Sequence, residues 1–469
     1  MNWAILGILV YIVIQLAVGI LVSRRIKNDD DYFLAGRSMG PYLATFTIFA
    51  TWFGAETCIG SAGIAYRYGL YASKGEPFGY AFCLIFLGVF FARKLWAQKI
   101  TTLGDLFRPR FGVEVEKLVV VVQAFSSIVW AAAQVRAFGQ ILSSTTGYGV
   151  NEMILAATII VAIYTIVGGL LADAYTDLIQ GGTLIVGLVV LVTLMIYDQG
   201  GFISAWANLD KSKLNLIPDA GQALMLNLGW MEKLDMWLIP IVGSLTTQEL
   251  MARVFASRSA SVARHSTLGA AGIYLLVGFI PLMIGLMGPH YISGLEDGEQ
   301  IIPTLAREFM PPLFSIMFLG ALVSAILSTV DSTLLAVSTL ISHNIVMPLY
   351  PELKDKQKVA VARFFVFLSS LAAYLMATHG HGVYDLVEMA SSLGGSSLAV
   401  LLVASFYIKA GGRYAGLFSM IGGVLSWIIM ENWSLASAPF FMSLIISIVG
   451  FALGALIDSK KEPLYPSKV

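Results

Sequence analysis

Long apolar runs separated by short polar stretches dominate the chain. A membrane-spanning helix needs ~20 apolar residues, because ~30 Å of hydrocarbon is covered at ~1.5 Å per residue. Runs of that kind predict about thirteen helices, at 3–22, 42–66, 76–97, 115–144, 150–169, 176–197, 233–254, 266–288, 313–345, 359–378, 382–408, 414–431 and 436–457. The first run is too long for the apolar core of a signal peptide, and Arg24 and Arg25 follow it rather than precede it, so it reads as a spanning helix. The longest connections, at about 198–232 and 289–312, have room for a short surface helix each but not for a soluble domain.

Composition agrees with this pattern and removes several classes of function. Of 469 residues 57% are hydrophobic and 12% charged, about half the ~25% charge that covers a soluble domain. The expected fold class is therefore an all-α integral membrane protein. A net charge of zero argues against nucleic acid as a partner. Cys58 and Cys83 both fall in apolar runs, and none of the five histidines has helical ligand spacing, so neither a disulfide framework nor a transition-metal site is expected. No GxxxxGK[ST] loop is present to bind ATP, and no cofactor is indicated.

Lys and Arg placement sets the orientation. With the N-terminus outside, 22 of the 29 Lys and Arg residues, Arg253 among them, fall on the inner side, 6 on the outer side, and Arg136 alone at membrane depth. The expected location is a plasma (inner) membrane, crossed many times, with the C-terminus cytoplasmic.

Polar and helix-breaking residues within the apolar runs are costly there and point to function. The run at 42–66 contains Thr51, Gly54, Glu56, Thr57, Gly60, Ser61 and Gly63, a poor continuous helix. A break near Gly54 would release backbone carbonyls, the usual ion and substrate ligands of broken transporter helices. Otherwise the small residues simply let neighbouring helices approach. In the run at 313–345, Ala325, Ser328, Thr329 and Ser332 repeat at i, i+3, i+4 and i+7 and form one stripe, with Asp331 on its flank. Such hydroxyls either bond a neighbouring helix or supply the neutral oxygens that suit a small hard cation. Asp177, near the start of the run at 176–197, either complements the helix dipole or is an ion ligand.

These residues carry a resemblance to the sodium/solute symporter family. The matching segments are Ala50-Thr51-Trp52-Phe53-Gly54 with Gly60 and Gly63, and Tyr164-Thr165-Ile166-Val167-Gly168-Gly169 followed by Tyr175-Thr176-Asp177. They continue with Gln248, Arg253-Val254, and Ser324 to Ser332 extending to Ser338 and Asn344, so the likeness spans roughly 30 to 410. Ala50-Thr51-Trp52, Trp130-Ala131-Ala132-Ala133 and Asp331 look most like the choline-transporter branch and its bacterial relatives.

The resemblance implies a core of two inverted five-helix repeats of leucine-transporter type, at 42–197 and 233–410. Residues 1–41 would hold an extra helix and a cytoplasmic loop, 198–232 an extracellular loop, and 411–469 two further helices and a tail. The first helix of each repeat would be broken. The family's shared sodium site falls on Ala50, Phe53, Ala325, Ser328 and Thr329, all neutral oxygen donors. A second sodium would use Asp177, Ser328, Asp331 and Ser332, although Asp331 stands where many members have a hydroxyl. The aromatic box of the choline branch, which holds quaternary ammonium by its ring faces, matches at Trp52, Tyr80 and Trp130, with Thr247 in the fourth place.

Glu56, added beside this incomplete box, suggests a solute with a hydrogen-bonding amine; alternatively it pairs with Arg136. Gln134 and Gln248 are further candidates for contact with the solute. The function expected is sodium-coupled import of a small organic solute by alternating access across the bilayer. The alternatives are proton coupling through Glu56, Asp177 or Asp331, and, more distantly, a membrane sensor. No pairing of a nucleophile with His supports an enzyme.

Overall fold

The computed structural model describes residues 29–459, apart from 168–169, 218–228, 296 and 380–381, together with residues 13, 17 and 21. The expected helix at 3–22, the pair Gly168-Gly169 and the tail beyond 459 lie outside this description. From residue 41 onward the predicted apolar runs and the observed helices coincide. They are α1 (41–67), α2 (Gly75–Ala97), α3 (Val113–Thr146), α4 (Val150–Val167), α5 (Leu170–Asp198), α6 (230–256), α7 (Ala260–Tyr291), α8 (Pro312–Ile341), α9 (Asp355–His379), α10 (383–407), α11 (Arg413–Asn432) and α12 (Pro439–Asp458). Among the described residues eight helices are long and apolar enough to span a membrane uninterrupted, and the bent α10 would be a ninth. The others are shorter or broken.

The breaks are what position the site. In α1 the helix Pro41–Ala50 ends in a turn at Thr51–Gly54, followed by a wide π turn at Glu56–Gly60 and the helix Ser61–Arg67. The Gly54 N–H, which a continuous helix would direct to Ala50 O, donates instead to Trp52 O at 2.9 Å. That turn releases the Ala50 carbonyl from the helical ladder. In α6 the helix Trp230–Val242 gives way to a 3₁₀ turn at Gly243–Thr246 and an extended Thr247, after which Gln248–Ala256 is helical again. Both interruptions fall on the helix that the family resemblance makes the first of a five-helix repeat, α1–α5 and α6–α10.

One predicted helix, 382–408, is two. Gly394 takes a left-handed φ of +75°, which bends Val383–Ser392 from Gly395–Tyr407 by 40°. At this bend Gly395 meets the α6 break. A Cβ on Gly243 would lie 2.4 Å from Ser391 O, and one on Gly395 would lie 2.7 Å from Gly243 Cα, so the two broken helices touch backbone to backbone.

Helix α8 lies at the centre, with every residue from Phe318 to Leu340 buried. It packs along α3 and also against α5 and α9. The longer connections are partly helical, as expected. Ile301–Phe309, between α7 and α8, buries Ile301, Ile302, Leu305 and Ala306.

Candidate functional site

The break in α1 lies against the hydroxyl stripe of α8. A Cβ on Gly54 would come within 2.9 Å of Thr329 Oγ1 and 3.4 Å of Gln134 Oε1, so only glycine allows this approach. Thr329 Oγ1 also donates to Ala325 O at 3.1 Å. The α1 break thus meets α8 at Gly54 and Thr329, while the neighbouring Ser328 hydroxyl is turned to Asp177 Oδ1. Carbonyl and hydroxyl oxygens are the neutral donors that suit a hard monovalent cation.

Gln134, on α3, accepts the Ala55 N–H at 3.2 Å. It caps the second half of α1, meeting a backbone donor that the break leaves without a helical partner. Gln248 is similarly engaged. Its Oε1 accepts Leu103 N–H at 3.3 Å and its Nε2 donates to Thr101 O at 3.2 Å, tying the start of the second α6 segment to the loop before Leu103–Phe111.

Behind the hydroxyl stripe is a buried ion pair. Asp177 lies about two turns into α5, which begins at Leu170, beyond the first turn where the helix dipole acts. Its Oδ2 accepts from Thr47 Oγ1 at 2.5 Å and from Arg253 Nη2 at 3.3 Å, and its Oδ1 accepts from Ser328 Oγ. Arg253 Nη2 also donates to Ser332 Oγ at 2.7 Å, its Nε donates to Thr47 Oγ1 at 2.9 Å, and its Nη1 donates to Glu249 O at 3.1 Å. Arg253 is 1% exposed and Asp177 2%. Arg253 is thus a residue of the core, not of an inner loop as its place in the charge pattern suggested. Asp331 is buried close to Tyr32 on the flank of the stripe.

On the other side of the break are the aromatic residues. The Trp52 and Tyr80 rings are 5.0 Å apart, and Tyr80 is 6.3 Å from Tyr274. Trp130 lines a small cavity of about 20 Å³, room for about one water, together with Thr247, Gln248, Glu249 and Ser391. The structure therefore places Thr247 beside Trp130. Glu56 does not pair with Arg136, whose Nη1 donates to Ala377 O at 3.0 Å. The charged groups acting on Glu56 are two further carboxylates, Glu76 and Glu388, with Tyr80 as its hydrogen-bonding neighbour. Glu76 is held by Tyr274 OH at 2.5 Å and by Thr57 Oγ1 at 2.9 Å. Among the described residues, Trp52 Nε1, Trp130 Nε1 and one oxygen each of Glu56, Glu76 and Glu249 are buried without a hydrogen-bond partner.

Glu76, Glu249, Glu388, Tyr274 and Thr47 were not singled out from the sequence. The three glutamates carried a usable signal, since each is an acid within an apolar run. Tyr274 and Thr47 carried none.

At the far end of α1 from Thr47, the α7–α8 connection packs backbone to backbone at Gly63, where a Cβ would lie 2.8 Å from Glu299 N. Glu299 Oε1 accepts Val383 N–H at 2.9 Å. Burial, and then the neighbouring Asp297, push the Glu299 carboxyl up to about 7, against the lowering effect of the Val383 bond and of Arg136.

A helix broken opposite hydroxyls, doubled by a second broken helix and backed by a buried ion pair, defines an ion-coupled secondary carrier. The sequence profile of the sodium:solute symporter family matches residues 32–423, and the chain belongs to that family. It is 28% identical to the human high affinity choline transporter 1 over 445 residues, 90% of this chain and 75% of the relative. It is 26% identical to the sodium/pantothenate symporter of Haemophilus influenzae over 474 residues, 97% of each. Its fold matches a substrate-bound, outward-open structure of a Na⁺-coupled sialic acid symporter with a TM-score of 0.83 and 18% identity, covering 99% of both chains. The protein is a sodium:solute symporter rather than an enzyme. It works in a membrane with Na⁺ as the coupling ion, and no cofactor is called for.

Proposed function

We propose that this symporter imports a small amine-bearing solute and that its cation is recognised by Glu56 beside the Trp52 and Tyr80 rings. The observation that carries this reading is the charge balance on that side of the α1 break. Among the described residues, the charged groups that act on Glu56 are the carboxyls of Glu76 and Glu388, with no basic side chain. An ammonium group entering here would bring these buried acids a counter-charge, which a carboxylate would not. The aromatic faces add cation–π attraction, and the unpartnered Glu56 oxygen accepts an amine N–H. Two of the relatives differ in what their names specify: choline is a quaternary ammonium, pantothenate a carboxylate. The acid cluster favours the cation over the carboxylate, and the unpartnered Glu56 oxygen favours an amine that keeps an N–H over a quaternary one.

Sodium would bind through the Ala50 and Phe53 carbonyls, the Ala325 carbonyl and the Ser328 and Thr329 hydroxyls, joining α1 to α8. Binding there fixes the broken helix, so the solute meets an ordered Trp52 and Glu56, and movement of α1 and α6 against the rest carries both inward. Each sodium charge crossing 100 mV supplies ~2.3 kcal/mol. With the N-terminus outside, as the Lys and Arg distribution predicts, this movement is import.

The test is thermal unfolding of the purified chain with choline, primary amines, amino acids, pantothenate or sialic acid, in Na⁺ or K⁺ at equal ionic strength. An amine is expected to raise the melting temperature in Na⁺, and Glu56→Gln is expected to abolish that rise. Ser328→Ala with Thr329→Ala is expected to remove the sodium dependence. Stabilisation by pantothenate or sialic acid but by no amine refutes the solute assignment. Unchanged sodium dependence in the double variant refutes the ion site.

A further inference from the structure

Two buried carboxyls neighbour Trp52, and their surroundings differ. Glu56 follows Trp52 on α1 and has Tyr80, Glu76 and Glu388 around it. Glu249, on the second segment of α6, lies beside Thr247, Trp52 and Arg253. We infer that Glu249 receives a second amine of the solute, so that the solute is a diamine with one ammonium group at each carboxyl. The inference rests on the amine-bearing solute proposed above.

The cavity of about 20 Å³ beside Glu249 is built to take a hydrogen-bond donor. Gln123 and Trp130, at i and i+7 on one face of α3, both line it. Gln123 Nε2 donates to Thr246 O at 2.6 Å, which leaves its Oε1 as an acceptor. Gln123 Oε1 and Glu249 Oε2 are buried without a partner, as is Trp130 Nε1. The three residues are only 2–3% exposed, so bulk water does not satisfy these atoms. An acid in the first turn of a helix ordinarily complements the helix dipole. That role leaves Glu249 Oε2 and Gln123 Oε1 unanswered. An ammonium group is about the size of the water for which the cavity has room. It donates to both oxygens and is attracted by the indole of Trp130. A carboxylate has no proton to donate here, and neither has a quaternary ammonium.

The charges around Glu249 also call for a cation. The Arg253 guanidinium is already shared, donating to Asp177 Oδ2, Ser332 Oγ, Thr47 Oγ1 and the Glu249 carbonyl. Asp331, next to Ser332 on α8, is a further buried carboxyl on that side. Among the described residues, Glu249, Asp177 and Asp331 are thus three buried acids to one buried guanidinium. Glu249 is not among the charged groups that act on Glu56, so the two carboxyls are too far apart to share one ammonium. The chain joining two such groups would pass along Trp52 once α6 moves.

The experiment compares n-alkylamines with α,ω-diamines of the same chain length, by thermal unfolding of the purified full-length chain in Na⁺. The best diamine is expected to reach half its effect at about one tenth of the concentration its monoamine counterpart needs, the worth of one charge-assisted hydrogen bond. Glu249→Gln is expected to remove that difference. Glu249→Asp, which keeps the charge on a side chain one methylene shorter, is expected to keep the preference and move it to a longer diamine. A diamine no better than its monoamine, or a preference that Glu249→Gln leaves unchanged, overturns the inference while the amine reading stands. If Glu249→Gln does not fold, Glu249→Asp decides, and an unchanged best chain length overturns the inference. Failure of every amine to stabilise the chain refutes the amine reading and this inference together.

Discussion

Gly54 allows the approach between the α1 break and Thr329, so Gly54→Ala tests the proposed sodium site with a single methyl group. The added Cβ would meet Thr329 Oγ1 at 2.9 Å, whereas ordinary contact begins at 3.4 Å, so the hydroxyl must retreat by about half an ångström. Binding constellations tolerate displacements of only about 0.5 Å. A hydroxyl moved that far, or rotated to another staggered position, gives up an interaction on the order of 1.5 kcal/mol, roughly a tenfold loss in sodium affinity. Gly54 lies in the turn, where no helix propensity is gained, so the melting temperature without sodium is read alongside as the measure of strain. Gly60→Ala is the control, because its Cβ meets nothing closer than Tyr384 at 3.9 Å. The assay is melting temperature against NaCl, with KCl holding ionic strength constant, since stabilisation follows the ratio of ligand concentration to its dissociation constant. Gly54→Ala should shift the sodium midpoint about tenfold upward, and Gly60→Ala should leave it in place. An unshifted midpoint in Gly54→Ala would mean that Thr329 is not a sodium ligand.

Two further outcomes follow from the geometry around α1. Gln134→Leu should lower the melting temperature, because the buried Ala55 N–H loses its acceptor at a cost of about 1–3 kcal/mol; Gln134→Glu, which keeps an acceptor oxygen, should restore most of it, and equal losses in both would show that the cap is not the cause. Glu299 has its carboxyl raised from 4.5 to about 7, so the folded state holds that proton more tightly than the unfolded chain does. Its contribution, about 3 kcal/mol, is full below pH 4.5 and lost as pH rises through 7. Melting temperature should therefore fall between pH 5 and 8, and Glu299→Gln should flatten that fall; an equally steep fall in the variant would remove Glu299 as its source.

The class of protein, the helix positions from residue 41 onward and the break near Gly54 were legible in the sequence, whereas the candidate sodium ligands came from the family resemblance. The physical reason is that lipid makes its demands locally. Every span must be apolar for ~20 residues, and every polar or glycine-rich interruption is costly enough to stand out. The stripe Ala325, Ser328, Thr329 and Ser332 was visible because helical periodicity alone puts those residues on one face.

What lay outside that reach depended on partners far apart along the chain. Asp177 near an apparent helix start looked like a dipole partner, yet Thr47, Arg253 and Ser328 converge on it from 130, 76 and 151 residues away. Arg253 looked like one more inner positive charge, and only the packing of α1, α5, α6 and α8 shows it as a buried cation beside the hydroxyl stripe. Glu56 could have neutralised Arg136; instead tertiary structure sets it among Glu76, Glu388 and Tyr80 and gives Arg136 to Ala377. The sequence by itself determined where the chain crosses lipid and where it breaks, because those costs are charged residue by residue. Which charges meet was decided only by the tertiary structure, since a buried charge takes its partner from whichever helix the fold brings alongside.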